Sequence, residues 1–306
     1  DVVKSTFAHS KHSGMTGLVM NTRRAPFDDI RVREALIAAF NFEYINETLT
    51  GGAQPRITSY FSNSPLAMQD GPATGRVAEL LTPFADDLPA GALDGYALPV
   101  SDGSARNRAG IRRAMGALAD AGFSADGGTM RGPDGQSLSF SILLSKGSSE
   151  NIAIAELYIQ ALARLGITAR VDAVDDAQFV ARNAAFDFDM AIFRRALSLS
   201  PGNEQRYYWG SEAADQEGSR NLMGVKSPAI DAMIDTMVGA SSAENFTAAT
   251  RALDRVLTAG RYVIPFWQFT EDRIAHIATM KYPEHVPLYG DGPNYMPEVW
   301  WIEPAQ

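Results

Sequence analysis

Apolar positions along this chain follow two periods. Val32, Leu36, Ala39 and Phe40 recur at helical spacing, whereas Ile167, Ala169 and Val171 alternate as a strand does. An apolar strand from Thr16 to Asn21 leads through a Pro26 turn into the first helix, with Asp28 or Asp29 placed to accept bonds from its free N–H groups. A second helix starts near Phe42 and stops at Gly51 and Gly52. Residues 55–106 are rich in Pro, Gly, Ser and Asp and read as an irregular surface excursion, with one helical piece from Arg76 to Pro83.

Order returns after Asn107. Arg108 to Gly122 predicts a helix with Ile111, Met115, Leu118 and Ala119 on its inner face. GPDG at Gly132 is a hairpin signal leading to the strand LSFSILLS at Leu138. A helix capped by Ser149 carries the stripe Ile152, Ala155, Ile159 and Leu162 and ends at Gly166; a short helix starts at Asp175, and a strand runs from Phe186 to Phe193. This β-α-β-α-β run points to an α/β fold. Ser227 and Pro228 begin a helix whose Met233 and Met237 are core filler, and Ser241 with Glu244 has capping-box spacing for the next. Tyr262 to Gln268 reads as a buried strand.

Composition narrows the classes. A chain of 306 residues with 45% hydrophobic content can bury a large core, and a net charge of −9 is the wrong field for phosphate backbones, so nucleic acid is not expected. With no cysteine there are no disulfides or thiolate sites, and the compartment stays open. No apolar run is long enough to span a bilayer. His9 and His12 read as part of a polar turn rather than a metal pair, and neither metal nor cofactor is expected. The acidic pairs Asp86–Asp87 and Asp175–Asp176 read as solvated carboxylates or helix caps.

Two stretches stand out. Arg194 to Arg206 leaves the carboxyl end of a strand, where ligands of open α/β sheets collect. Arg195, Ser198, Ser200, Asn203 and Glu204 supply the cations, hydroxyls, amide and carboxylate that a zwitterionic peptide needs. Strand alternation sends Arg194 to the opposite face, so at most one of the two arginines should serve. The blander reading is a Pro201–Gly202 turn with arginines paired to surface acids. Trp267 is a candidate for covering an apolar ligand face, Asn221 for an amide contact, and Gln178 and Arg182 are weaker candidates.

The wording of several segments resembles one family throughout. NTRRAPFDDIRVREAL from Asn21, FNFEYINETLTGG from Phe40, GIRRAMGALADAGF from Gly110, AFDFDMAIFRRALSLSPGNEQ from Ala185 and ALDRVLTAGRYVIPFWQ from Ala252 fall in the order seen in periplasmic solute-binding proteins of the peptide/nickel (family 5) class. The branch resembled is that of the microcin C and oligopeptide-binding proteins. The resemblance implies the large C-terminal lobe of a two-lobed, type II-like protein, with a mixed sheet flanked by helices. Residues 1–15 would belong to a preceding lobe or hinge, 16–268 to the binding lobe, and 269–306 to a crossover returning to the first lobe. It also implies a periplasmic setting with a signal peptide upstream, peptide or modified-peptide ligands, and ABC-transporter permease subunits as partners, without enzyme activity. Familiar peptide binders of the class hold the ligand ammonium with an aspartate near this loop, and none occurs between Arg195 and Glu204. The rival readings are a periplasmic hydrolase of peptide or glycan and a flat docking module.

Overall fold

The computed structural model of the chain describes residues 2–9, 11–285 and 296–303. In chain order its main elements are strands β1 (Val2–Ala8) and β2 (Met15–Met20) and helices α1 (Ile30–Ala39), α2 (Phe42–Thr50), α3 (Gly75–Leu81) and α4 (Arg108–Asp120). They are followed by β3 (Ser124–Asp126), β4 (Thr129–Arg131), β5 (Ser139–Ser145), α5 (Ser149–Ala163), β6 (Thr168–Val174), α6 (Asp176–Ala184) and β7 (Met190–Arg195). Then come α7 (Glu204–Trp209), α8 (Pro228–Val238), α9 (Ala243–Ala259), β8 (Val263–Pro265) and β9 (Glu271–Ile277).

Five strands form one sheet in the order β6-β5-β7-β2-β8. β5 is parallel to β6 and β7, while β2 is antiparallel to β7 and β8. The mixed α/β sheet matches the class expected from the sequence. Strand alternation sends Leu18, Met20, Ile142, Leu144 and Met190 to a core shared with α1, α4 and α5. Val19, Leu143, Ala191 and Phe193 face the opposite core, shared with α8, α9 and residues such as Tyr60 and Phe61 of the irregular excursion. Helices cover both faces, so the inner strands β5 and β2 are apolar on both sides, while the edge strand β6 carries Arg170 and Asp172.

The segment after β2 anchors the sheet at its lower edge. Asn21 is fully buried, and its Nδ2 donates to the carbonyls of Phe186 (3.0 Å) and Phe188 (2.9 Å). Arg24 pairs with Asp187 and Asp189, and Asp189 also accepts from the Ser141 N–H and hydroxyl, tying β5 to the foot of β7. Asp29 caps α1 by accepting from the Arg31 N–H at 2.8 Å. Arg33 is buried and donates to the carbonyls of Phe27, Asp28 and Gly260.

Several local expectations shift. The inner face of α4 is Gly110, Ala114 and Leu118, while Met115 is 47% exposed and Ala119 also faces solvent. Close approach to α1 explains this, since a Cβ at Gly110 would collide with the Ala38 carbonyl. Small residues therefore take the contact and the larger Met115 turns out. Ser242, not Ser241, caps α9 by accepting from the Asn245 N–H, and Ser148 precedes α5 without a side-chain cap bond. β7 begins at Met190 rather than Phe186, because Phe186 lies in a turn with φ +54°. It then continues through both Arg194 and Arg195.

β1 and β9 form a separate antiparallel ribbon with Val2 opposite Ile277 and Ala8 opposite Glu271. Residues 280–281 pair with 301–302 as a two-stranded ribbon, and the Tyr282 ring meets Phe7 edge-on and lies tilted against Trp300 beside it. The remainder of the expected 269–306 crossover, residues 286–295 and 304–306, lies outside the described residues.

Two adjacent residues of α9 hold the irregular excursion. Asp254 is fully buried, and its two oxygens accept from the N–H groups of Tyr60 and Met68, both at 2.8 Å. Arg255 donates to the carbonyls of Gln69, Gly71, Ala92 and Leu93. Burial raises the Asp254 carboxyl to about 6, against the opposing pull of those N–H groups and the Ser59 and Thr258 hydroxyls. The folded value lies above the ordinary 3.8, so the fold prefers the protonated form. This group's contribution is fully present below pH 3.8 and is lost as pH rises to about 6, a loss of roughly 3 kcal/mol. Asp254→Asn removes that titration and leaves one N–H facing an amide nitrogen. We expect the melting temperature of the wild type to exceed that of the variant most at pH 4, with the gap narrowing toward pH 7; a gap independent of pH refutes the assignment.

Candidate functional site

A cleft of about 460 Å³ opens at the carboxyl edge of β5 and β7. That edge also carries the amino end of β2, because Thr16 lies opposite Arg194 and Met15 opposite Arg195. Gly14 makes the entry turn, with φ +63° and the Arg195 carbonyl where a Cβ would sit. Gly17 meets the Ile264 carbonyl in the same way, so β2 lies close against β8. The cleft walls are His9 with residues 11–13, the first turn of α5, the end of β7, residues 266–269 and Asp272.

Its floor is apolar and its rim is charged. Ile57, Ile154, Ile192, Phe266 and Trp267 line it, and Phe269 stands 57% exposed. Asp272 of β9 pairs with Lys11, and His9 Nε2 lies 3.7 Å from the same carboxylate. His9 Nδ1 accepts the Lys11 N–H at 3.2 Å, which places the ring proton on Nε2. Burial, reinforced by the neighbouring Lys11 charge, lowers the His9 pKa and keeps the ring neutral near pH 7. The Ser13 hydroxyl donates to Gln268 Oε1, so it is committed to an amide rather than to an imidazole. Arg194 and Glu150, facing the same cleft from β7 and α5, form no ion pair among the described residues. The arrangement can receive a ligand that is polar at its ends and apolar between them. Among the described residues, no group of three or more His, Asp or Glu could hold a metal ion, and no helix is long and apolar enough to cross a membrane.

The sequence candidates divide. Trp267 lines the cleft; it is 6% exposed and bridges Arg56 across the backbone. Arg195 does not line it, because alternation turns it to the opposite face, where its guanidinium stacks 4.1 Å above Tyr208 and lies 3.8 Å from Glu204. Arg194 is the arginine that faces the cleft. Glu204 starts α7 and accepts the Gly202 N–H; burial pushes its carboxyl up, but that N–H, Gln205 and Arg195 together hold it below the usual range. Ser198, Ser200 and Asn203 are exposed, with the Ser198 hydroxyl accepting the Ser200 N–H, and none lines the cleft.

Asn221 is a correction. It is fully buried, and its amide is used internally, donating to the carbonyls of Gly210 and Val225 and accepting the Val225 N–H. No polar atom remains for a ligand. Gln178 is exposed on α6 and Arg182 pairs with Asp172 and Asp187, both away from the cleft. Also lining the cleft, and not among the sequence candidates for ligand contact, are His9, Lys11, His12, Ser13, Thr16, Glu150, Asn151, Gln268 and Asp272. The first turn of the helix after a parallel strand is a known ligand position, so Glu150 and Asn151 were within reach of that rule. The segment before β2 was not, since its place depends on the antiparallel pairing of β2 with β7.

A mixed sheet flanked by helices, with a cleft of charged rim and apolar floor at its carboxyl edge, defines an α/β fold with an opening where ligands of such sheets collect. The chain belongs to the bacterial extracellular solute-binding proteins, family 5, whose middle region matches residues 3–217. It is 39% identical over 302 residues to the peptidoglycan-binding protein YepA of Agrobacterium fabrum, covering 98% of this chain and 48% of that protein. The probable peptide-binding protein YejA of the same organism is 40% identical over 289 residues, covering 94% and 46%. The fold is similar to about half of the oligopeptide-binding protein AppA from Bacillus subtilis, solved with a nonapeptide; the TM-score is 0.72 at 16% identity, covering 99% of this chain and 52% of that one. The chain therefore spans about half the length of the curated relatives it matches.

The internal role of Asn221 is open to a direct test. Asn221→Ala strands buried donors and acceptors in the 210–225 loop and should destabilise the fold by roughly 3 kcal/mol. Denaturant unfolding reads this directly, and a stability change within about 0.5 kcal/mol contradicts the structural role.

Proposed function

We propose that this chain is the C-terminal binding lobe of an extracytoplasmic solute-binding protein that captures peptides, including modified or cell-wall-derived peptides, for an ABC importer. The observation that carries the reading is the cleft itself, where Arg194 and Glu150 stand beside an apolar floor that includes Trp267, at the carboxyl edge of the sheet. A guanidinium suits a carboxylate, a carboxylate suits an ammonium, and the floor suits side chains or modifications between them. The relatives named for peptidoglycan and peptide binding support the ligand class. In this reading the β1–β9 ribbon is the connection to a first lobe, and residues 1–15 and 269–306 lead to it. Asp272, Lys11 and His9 then stand where that ribbon meets the cleft, so ligand contact and lobe movement share one set of residues.

The mechanism that follows is capture. A ligand that touches both lobes favours the closed form in proportion to its differential affinity for it, and the permease reads that form. A microcin C-like ligand fits the same logic, because a long modified peptide needs floor area and end groups rather than a single ammonium site. Export to the periplasm by an upstream signal peptide completes the reading.

The test is calorimetry on the full-length protein with peptides selected from a casein digest by retention on it. Arg194→Ala should weaken binding by roughly ten- to a hundred-fold, the worth of one charged hydrogen bond, and Trp267→Ala by a similar factor. Ser198→Ala, Asn203→Ala and Gln178→Ala should change affinity less than about twofold. If the second set weakens binding and the first does not, the site lies on the 198–204 loop and this assignment of the cleft is wrong. Failure to retain any peptide rejects the ligand class.

A further inference from the structure

The outer face of α4 carries a feature that peptide capture does not use. Arg106, Arg108, Arg112 and Arg164 surround a depression of about 570 Å³ whose floor is Ile111 and Met115. None of the four forms an ion pair among the described residues, whereas Arg113, one residue beyond Arg112, pairs with Glu34. Arg164 donates to the Ala105 carbonyl. Asp102 lies within electrostatic reach of Arg108, and its carboxylate accepts the Ser104 N–H. In a chain of net charge −9, four arginines that form no ion pair among the described residues surround one concavity and give a local field opposite to the whole.

Two properties identify the occupant. Guanidinium groups present a planar fork that matches phosphate oxygens bidentately, and several around one hollow suit a phosphate group. The floor adds an exposed methionine and a half-buried isoleucine, which a small soluble anion would leave in water but which the glycerol and upper acyl region of a lipid would cover. Arginine stems can lie along that apolar surface while their heads reach the phosphates. The net negative charge elsewhere does not cancel the attraction, because charges more than about 8–10 Å from the contact are screened at physiological salt. We propose that this depression docks the phosphate headgroups of an anionic phospholipid surface, holding the protein beside a membrane by a contact separate from its ligand cleft.

The test uses the full-length protein and sedimentation with vesicles of phosphatidylglycerol mixed into phosphatidylcholine, against vesicles of phosphatidylcholine alone. Each arginine near an anionic surface contributes about fivefold in partitioning, so Arg108→Gln with Arg112→Gln should reduce it by about 25-fold. Met115→Ser should lower it a few-fold, and Arg220→Gln, an equal charge loss elsewhere on the surface, should leave it unchanged. Equal binding to both vesicle types, or a double variant that partitions like the wild type, overturns the proposal. An equal loss in Arg220→Gln also overturns it, because the attraction would then be diffuse. Displacement from vesicles by millimolar glycerol phosphate would assign a soluble-phosphate site and overturn the lipid assignment. Binding of an oligoglutamate peptide without binding of vesicles would point to an acidic protein partner and overturn it equally.

Discussion

Arg23 closes the lower edge of this molecule. Its guanidinium donates to the carbonyls of Ala214, Asn221 and Leu222 and to Asn21 Oδ1, and it lies 3.8 Å over the Phe186 ring. Burial lowers its pKa to about 10, with Asp215 opposing, so it remains charged at neutral pH. One five-donor cation thereby satisfies carbonyls that would otherwise be left without partners in a loop turning beneath the sheet. Asn21 holds the turn before β7 and Asn221 holds the loop that Arg23 grips, so all three sit on one connected set of bonds. The register of β2 against β7 is fixed there, and the position of Thr16 and Arg194 at the other end follows from it.

The upper edge is assembled differently. Asp254 and Arg255 reach from α9 into the excursion between residues 59 and 93, and that excursion braces the cleft wall: the Ser13 N–H donates to the Ser62 carbonyl at 3.1 Å, and Asn63 Nδ2 donates to the Lys11 carbonyl. A buried carboxylate far from the ligand space thus supports the segment that carries His9, Lys11 and His12. The excursion has little regular structure, and its order comes from side chains of a helix rather than from its own backbone ladder.

These two edges explain what could be read from the sequence. The NTRRAPFDD segment, the helix starts at Asp29 and Ser227, and the β-α-β-α-β run after Leu138 are local patterns, and local geometry decides them. Position at a strand's carboxyl end also led to the right neighbourhood for the cleft. Which of Arg194 and Arg195 faces it depended on how far β7 continues, because extending a strand by two residues decides the face of each side chain. Asn221 misled because an amide in a Gly- and Ser-rich loop looks the same whether it faces a ligand or the backbone. The face of α4 misled for a packing reason: Gly110 and Ala114 make the contact that hydrophobicity alone assigns to Met115.

The charge pattern of the cleft has a consequence for how a ligand is held. Asp272 is occupied by Lys11 and faces His9, so the acid that β9 contributes to the cleft is neutralised within the protein itself. Arg194 and Glu150 are not, and both stand in solvent on the sheet side of the opening. Exposed charges of this kind contribute little while water surrounds them, because solvent screens each interaction. In the proposed capture, covering the cleft excludes that water and strengthens the same contacts, and the exposed Phe269 offers apolar surface to whatever covers it. The proposed capture then rests on the difference between open and covered forms rather than on the strength of either alone, and Arg194 and Phe269 at one opening are placed to supply that difference.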